Sequence, residues 1–167
     1  MKPLLAALFL ALGALAMPSA ATAQPMQASV KVSAPVFVIR HLQKGEGSDP
    51  SLTAEGQANA QRLAAMLKDK GIKAIFATPT RRAMETGQPL AKALGLTVTP
   101  YDPANVAALA AAVKAAAGPV LIVGHSNTVP ELVALFGGAR PAPIDDDQYG
   151  TLFEVAPDGT VTSAPVR

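Results

Sequence analysis

The sequence contains no cysteine and no tryptophan, holds two histidines, and has charge on only 16% of its 167 residues. Without cysteine there is no disulfide, no lipoprotein thiol and no thiolate metal site, so packing alone must hold the fold. Two histidines with no third ligand at a recognisable spacing make a poor zinc site. An excess of charge of one sign is also lacking. Fourteen Lys and Arg stand against 12 Asp and Glu, a net +2 that points to neither nucleic acid nor an anionic membrane as partner. The apolar run from Pro3 to Ala16 is too short to span a bilayer comfortably. With Lys2 before it, Pro18 breaking it and Ala21-Thr22-Ala23 supplying small side chains, residues 1–23 read as a cleavable secretory signal peptide. The reading that follows is a flexible lead at 24–34 and one domain at 35–167, periplasmic or secreted, with no stable membrane association after cleavage.

What the sequence does have is alternation. Pro35-Val36-Phe37-Val38-Ile39, Ala74-Ile75-Phe76-Ala77, Leu96-Thr97-Val98-Thr99 and Val120-Leu121-Ile122-Val123 are short apolar runs of the kind a strand buried on both faces requires. Between them, Ala60, Leu63 and Leu67, then Leu90 and Leu94, then Val106, Leu109 and Val113 recur at helical period. Strand and helix in alternation predict an α/β fold: a three-layer sandwich with a mostly parallel central sheet flanked by helices. Thr128-Val129-Pro130-Glu131 predicts a capping box opening a fourth helix that ends at Gly137-Gly138. Alternating residues either side of Pro157-Asp158-Gly159-Thr160 predict a closing hairpin. Pro89 falls inside the second helical segment, which should therefore kink or start later.

In such a sheet the ligand site lies beyond the carboxyl ends of the strands. The residues there are Arg40-His41, Thr78-Pro79-Thr80-Arg81-Arg82, Tyr101-Asp102 and Gly124-His125-Ser126-Asn127-Thr128. Both histidines and at least two arginines thus fall on one edge, where helix N-termini also direct free N–H groups, and such a pocket prefers a phosphate. Each piece alone has a structural explanation; four separated segments agreeing at one edge is the informative observation.

Over about Val36 to Val155 the chain resembles the histidine phosphatase superfamily, the phosphoglycerate-mutase-like fold. Arg40-His41 is similar to its opening Arg-His signature, Asp49-Pro50-Ser51-Leu52-Thr53-Ala54-Glu55-Gly56 to its helix-opening Leu-Thr-x-x-Gly element, and Thr78 to Arg82 with Thr86 to its second arginine motif. Gly124-His125 is similar to its second histidine motif. The resemblance implies His41 as a nucleophile forming a phosphohistidine, with Arg40, Arg82 and His125 holding the phosphoryl oxygens and no metal or cofactor required. Arg82 is preferred to Arg81 because Ala83 follows it. The substrate class implied is a small-molecule phosphomonoester, phosphorylated envelope sugars among them. A phosphatase is favoured over a mutase because a short exported chain has little room for an inserted lid.

The departures are Leu42, where the family has Gly, and Gln43-Lys44 after it. Lys44 and Gln43, with Ser126 and Asn127, are candidate substrate-binding residues, and Lys44 reads equally well as a solvated loop lysine. Asp102 is the candidate general acid by its place after the third strand, with Glu46 and Glu85 behind it, although Asp102 also suits a turn before Pro103. Asp145-Asp146-Asp147 reads as an exposed loop. The altered residues 42–44 leave open an alternative, a catalytically weak or inactive phosphate- or partner-binding protein of the same fold. An esterase elbow at Gly124 to Thr128 is excluded by chain order, since no histidine follows His125.

Overall fold

The computed structural model describes residues 29–166, so the leader expected at 1–23 lies outside the described residues. In chain order the elements are β1 (Val36–Arg40), α1 (Ala54–Leu67), β2 (Ala74–Ala77), α2 (Arg81–Leu94), β3 (Val98–Pro100), α3 (Val106–Ala115), β4 (Val120–Gly124), α4 (Val129–Leu135), β5 (Thr151–Val155) and β6 (Val161–Pro165). One six-stranded sheet runs β3-β2-β4-β1-β5-β6. Its β3, β2, β4 and β1 are mutually parallel, and the β5–β6 hairpin adds antiparallel to β1. The three-layer α/β expectation is met. β1 and β4 are buried throughout because helices cover both faces, which is why they read as unbroken apolar runs.

The period-two alternation within those runs sorts side chains to the two faces. Phe37, Ile39, Ile75, Leu121 and Val123 pack with Leu63, Leu67, Ala83 and Leu90 of α1 and α2. Val36, Val38, Phe76, Val120 and Ile122 pack on the other face with Leu109 and Val113 of α3 and Val129, Leu132 and Val133 of α4. Of the expected α3 stripe, Val106 is not in this core: it is the first residue of the helix and 37% exposed. Within the lead, Val30 donates its amide to the Leu135 carbonyl at 2.6 Å, so residues 29–34 are laid against the domain.

Three local expectations are corrected. β3 occupies Val98–Pro100, two residues beyond the start of its apolar run. α2 begins at Arg81 and runs through Pro89. The missing amide costs a helix about 3 kcal/mol, and burial of Ala83, Thr86, Gly87, Leu90 and Ala91 around that position holds the helix together. Thr128 does not cap α4 with its side chain. Its hydroxyl accepts instead from the His125 amide at 2.9 Å, and Glu131 pairs with Arg140.

Gly56, third residue of α1, fixes the loop after β1. A Cβ there would overlap the Gln43 carbonyl oxygen and come within 3.1 Å of its carbon. Gly→Ala in an ordinary helix interior gains about 1 kcal/mol. Here the sign reverses: Gly56→Ala is expected to lower stability by about 1–3 kcal/mol through overpacking, read as a lower urea midpoint. A midpoint at or above that of the parent would contradict the close approach.

Candidate active site

The sheet register builds the site. Arg40 of β1 pairs with Gly124 of β4, so His41 and His125 occupy equivalent positions one residue beyond adjacent parallel strands. On the other side of β4, Ala77 pairs with Val123, which puts Thr78 next in the row. The His41 amide donates to the Gly124 carbonyl at 2.9 Å and the Thr78 amide to the Val123 carbonyl at 3.2 Å. The two imidazoles meet edge to face with centroids 5.2 Å apart, close to the strand spacing of about 4.8 Å that sets them. Gly124 is required at this spot because a Cβ would lie 2.6 Å from the Thr128 hydroxyl.

His41 is 2% exposed, and its Nδ1 lies 2.9 Å from the Leu42 carbonyl oxygen. A carbonyl only accepts, so Nδ1 carries the proton and Nε2 keeps its lone pair. Burial above all, then the nearby His125, Arg82 and Arg40 charges, lower the His41 pKa from 6.5 to about 4, against the pull of the Leu42 carbonyl. The ring is neutral at neutral pH. His125 is lowered by the same kinds of cause, burial first and then Arg82 and Arg40. Its Nε2 lies 2.8 Å from the buried Thr78 hydroxyl.

The depressed His41 pKa has a stability consequence. Between pH 6.5 and about 4 the unfolded chain binds a proton at this residue and the folded chain does not, so unfolding is favoured as pH falls through that window. The shift corresponds to about 3 kcal/mol, fully in hand above pH 6.5 and lost towards pH 4, and His125 acts in the same direction. Denaturant titrations at pH 7 and pH 4.5 should show the loss, and His41→Asn should flatten it. A wild-type slope retained in the variant would refute the assignment.

Arg82, in the first turn of α2, is partly buried, with Nη1 3.6 Å from the Asp49 carboxylate and a buried Nε that meets no partner. Asp49 also accepts the Arg81 amide at 2.9 Å, capping α2 from another loop where Thr80 makes no side-chain cap. The Arg81 side chain is exposed. Thr86 links this helix to the loop after β1, accepting from the Leu42 amide at 3.1 Å and donating to the Arg82 carbonyl at 2.8 Å. Leu42 itself is wholly buried in the α1–α2 core, so it leaves the pocket's rim unaltered.

Arg40 is held differently from what the resemblance implies. It is 4% exposed, and its two terminal nitrogens donate to the backbone carbonyls of Asp145 at 2.7 Å, Gln148 at 2.8 Å and Asp146 at 3.0 Å. The Asp146 carboxylate stands 3.7 Å from Nη2, and the Tyr149 ring stacks 4.2 Å under the guanidinium. Only the buried Nε is without a partner. Arg40 is therefore a clasp for the 145–149 strap as well as a charge beside the histidines, and Tyr149, with its ring centroid 5.9 Å from that of His41, joins the site through it. The acidic run is exposed as expected, but its backbone does structural work inside.

The remaining candidates divide. Ser126 donates to the Asp146 carboxylate at 3.4 Å, and Asn127 is exposed beside it. Lys44 is exposed on a strand-like bridge to Leu52. Gln43 turns away to Glu55 and Asn59. Asp102 is exposed and accepts the Ala104 amide at 2.9 Å, the turn role left open for it. Glu85 accepts the Leu52 amide at 2.7 Å, and Glu46 is exposed. None of these three carboxylates hydrogen-bonds or ion-pairs with either histidine, Arg40 or Arg82. Thr78 and Asp49 lie within the stretches read from the sequence but are given no role there, and Tyr149 is not named at all.

Residues 39–103 match the family model of the histidine phosphatase superfamily (branch 1). Among solved structures, the protein histidine phosphatase SixA, complexed with tungstate, is 23% identical, with a TM-score of 0.60 over 78% of this chain and 94% of that one. A phosphoglycerate mutase from Bacillus anthracis is 15% identical, TM-score 0.57, over 81% of this chain and 93% of that one. A mycobacterial glucosyl-3-phosphoglycerate phosphatase is 15% identical, TM-score 0.53, over 72% and 88%. At such identities the likeness is one of fold. No curated protein matches the sequence.

Proposed function

We propose that this chain, which belongs to the histidine phosphatase superfamily, is a metal-independent phosphatase that hydrolyses phosphomonoesters through a phosphohistidine on His41. The observation that carries the reading is the fixed tautomer: Nδ1–H held by the Leu42 carbonyl leaves an unprotonated Nε2 with a free lone pair, in a neutral ring near Arg82, Arg40 and His125. A phosphoryl group seated there lies near the positive charges of both arginines, whose Nε–H groups are buried without a partner, and beside the His125 ring. Nε2 attacks phosphorus in line, the bond to the ester oxygen breaks, and positive charge over the equatorial oxygens stabilises the transition state. Water then attacks phosphorus, the N–P bond breaks, and His41 returns neutral with release of inorganic phosphate. The phosphatase and mutase relatives share this fold, and the absence of a long insertion between β3 and α3 favours transfer to water.

The test is trapping. Mixing the protein with p-nitrophenyl phosphate in the presence of chelator should release p-nitrophenolate. Acid quench within the first turnover, followed by peptide mapping, should then locate acid-labile phosphate on His41. Turnover with no phosphate on that residue would replace the two-step scheme by direct attack of water. No turnover, with retained phosphate binding, would favour the non-catalytic binding protein.

A further inference from the structure

Among the neighbours of His125, on the α3–α4 side of the sheet, a cleft of about 270 Å³ is lined by Tyr101, Ala104, Val106, Thr128 and Leu132, with Glu131 on its rim. We infer that it seats the organic part of the substrate, and that the preferred substrates are phosphate monoesters of aromatic alcohols. The inference rests on the phosphatase reading above and adds to it the class of leaving group.

Position comes first. Tyr101 hydrogen-bonds through its amide to the Ala77 carbonyl, immediately before Thr78, whose hydroxyl meets His125. Thr128 accepts from the His125 amide. The cleft's inner wall is therefore built from the direct neighbours of the second histidine. The site a Cβ on Gly124 would take lies only 3.4 Å from the Tyr101 hydroxyl.

Chemistry comes next. The walls are mostly apolar. Val106 is the one large hydrophobic side chain exposed among the described residues, and it stands on this rim. The rim's charged residue, Glu131, is paired with Arg140. Ligand sites of this kind are apolar surfaces with a few placed polar groups, and the volume is near the low end of their range. It suits one or two fused rings. A sugar would bring several hydroxyls, each needing a partner when desolvated. The polar side chains of the lining are all committed or covered: the Thr128 hydroxyl is engaged by the His125 amide, the Glu131 carboxylate is paired with Arg140, and the Tyr101 hydroxyl is buried towards Gly124. Tyr101 is 8% exposed, and no group meets its hydroxyl at hydrogen-bonding geometry. Burial pushes this phenol up to about 12, although the adjacent Thr128 hydroxyl draws it down, so it stays a proton-bearing donor.

The leaving group gives an independent reason. None of Asp102, Glu46 and Glu85 contacts the histidines, so the departing oxygen has no carboxylic acid among them poised to protonate it. Phenols, with pKa of about 10, leave far more readily as anions than aliphatic alcohols with values nearer that of water, about 16.

The experiment compares 2-naphthyl phosphate with glycerol 2-phosphate. Wild-type kcat/KM should favour the aryl ester, and Val106→Asn and Ala104→Phe, which make the cleft polar or fill it, should each lower that preference at least fivefold. Calorimetry on His41→Ala, or His41→Asn if the first does not fold, should find 2-naphthyl phosphate bound at least tenfold tighter than glycerol 2-phosphate. Equal affinities, or a preference untouched by both cleft variants, would overturn the assignment. If the wild type hydrolyses neither ester, the phosphatase reading fails, and the binding ratio alone still decides the cleft.

Discussion

His41→Ala is expected to abolish turnover of p-nitrophenyl phosphate, lowering kcat by at least about 10⁴-fold, because the proposed covalent step is assigned to this imidazole. His125 cannot substitute. Its Nε2 is engaged by Thr78, and its ring stands edge-on to His41 rather than in its place. The fold should survive: the lost imidazole makes one hydrogen bond, to its neighbour's carbonyl, and the β1–β4 ladder that positions residue 41 is backbone. The measurements are steady-state kinetics and a thermal midpoint on the same preparation. Residual activity within tenfold of wild type, with the fold intact, would remove His41 as nucleophile.

The second large effect distinguishes adjacent arginines. Arg82→Ala is expected to lower kcat/KM by about 10²–10³-fold, the range for removing one donor aimed at developing charge, whereas Arg81→Ala should stay within about twofold as an exposed surface change. Arg82 has a buried, unpartnered Nε and lies close enough to depress both histidines; Arg81 contributes its backbone amide to Asp49 and sends its side chain to solvent. Lysine at position 82 should restore little, since it lacks the planar fork. Equal losses at 81 and 82 would show that the helix terminus, rather than one guanidinium, holds the anion.

These two predictions rest on features legible in the sequence, and it is clear why. The address of His41 needs only the apolar run of β1 and the second residue after it, and His125 after β4 is found the same way; period and strand ends are local signals. The parallel arrangement followed from alternation, and the closing hairpin from its turn residues. What could not be read locally is what Arg40 holds, because its partners are carbonyls more than a hundred residues away, and a carbonyl leaves no mark in the sequence. Asp49 was visible as a residue of the Leu-Thr-x-x-Gly neighbourhood, yet its use as a cap for α2 depends on tertiary proximity. Gln43 and Asp102 fell at suggestive positions and proved to be engaged by α1 and by a turn. Thr128 satisfied a capping pattern, but the amide of His125 lay closer to hand. Asp102 and Thr128 were taken by nearby backbone amides, and Gln43 by the side chains of Glu55 and Asn59.

The clasp on Arg40 also makes the pocket depend on a distant part of the chain. Without residues 145–148 the guanidinium has no carbonyls to receive it, and without β5 the strand β1 lacks its antiparallel neighbour on one flank. A fragment that carries both histidines but stops before Asp145 would therefore be inert rather than partly active.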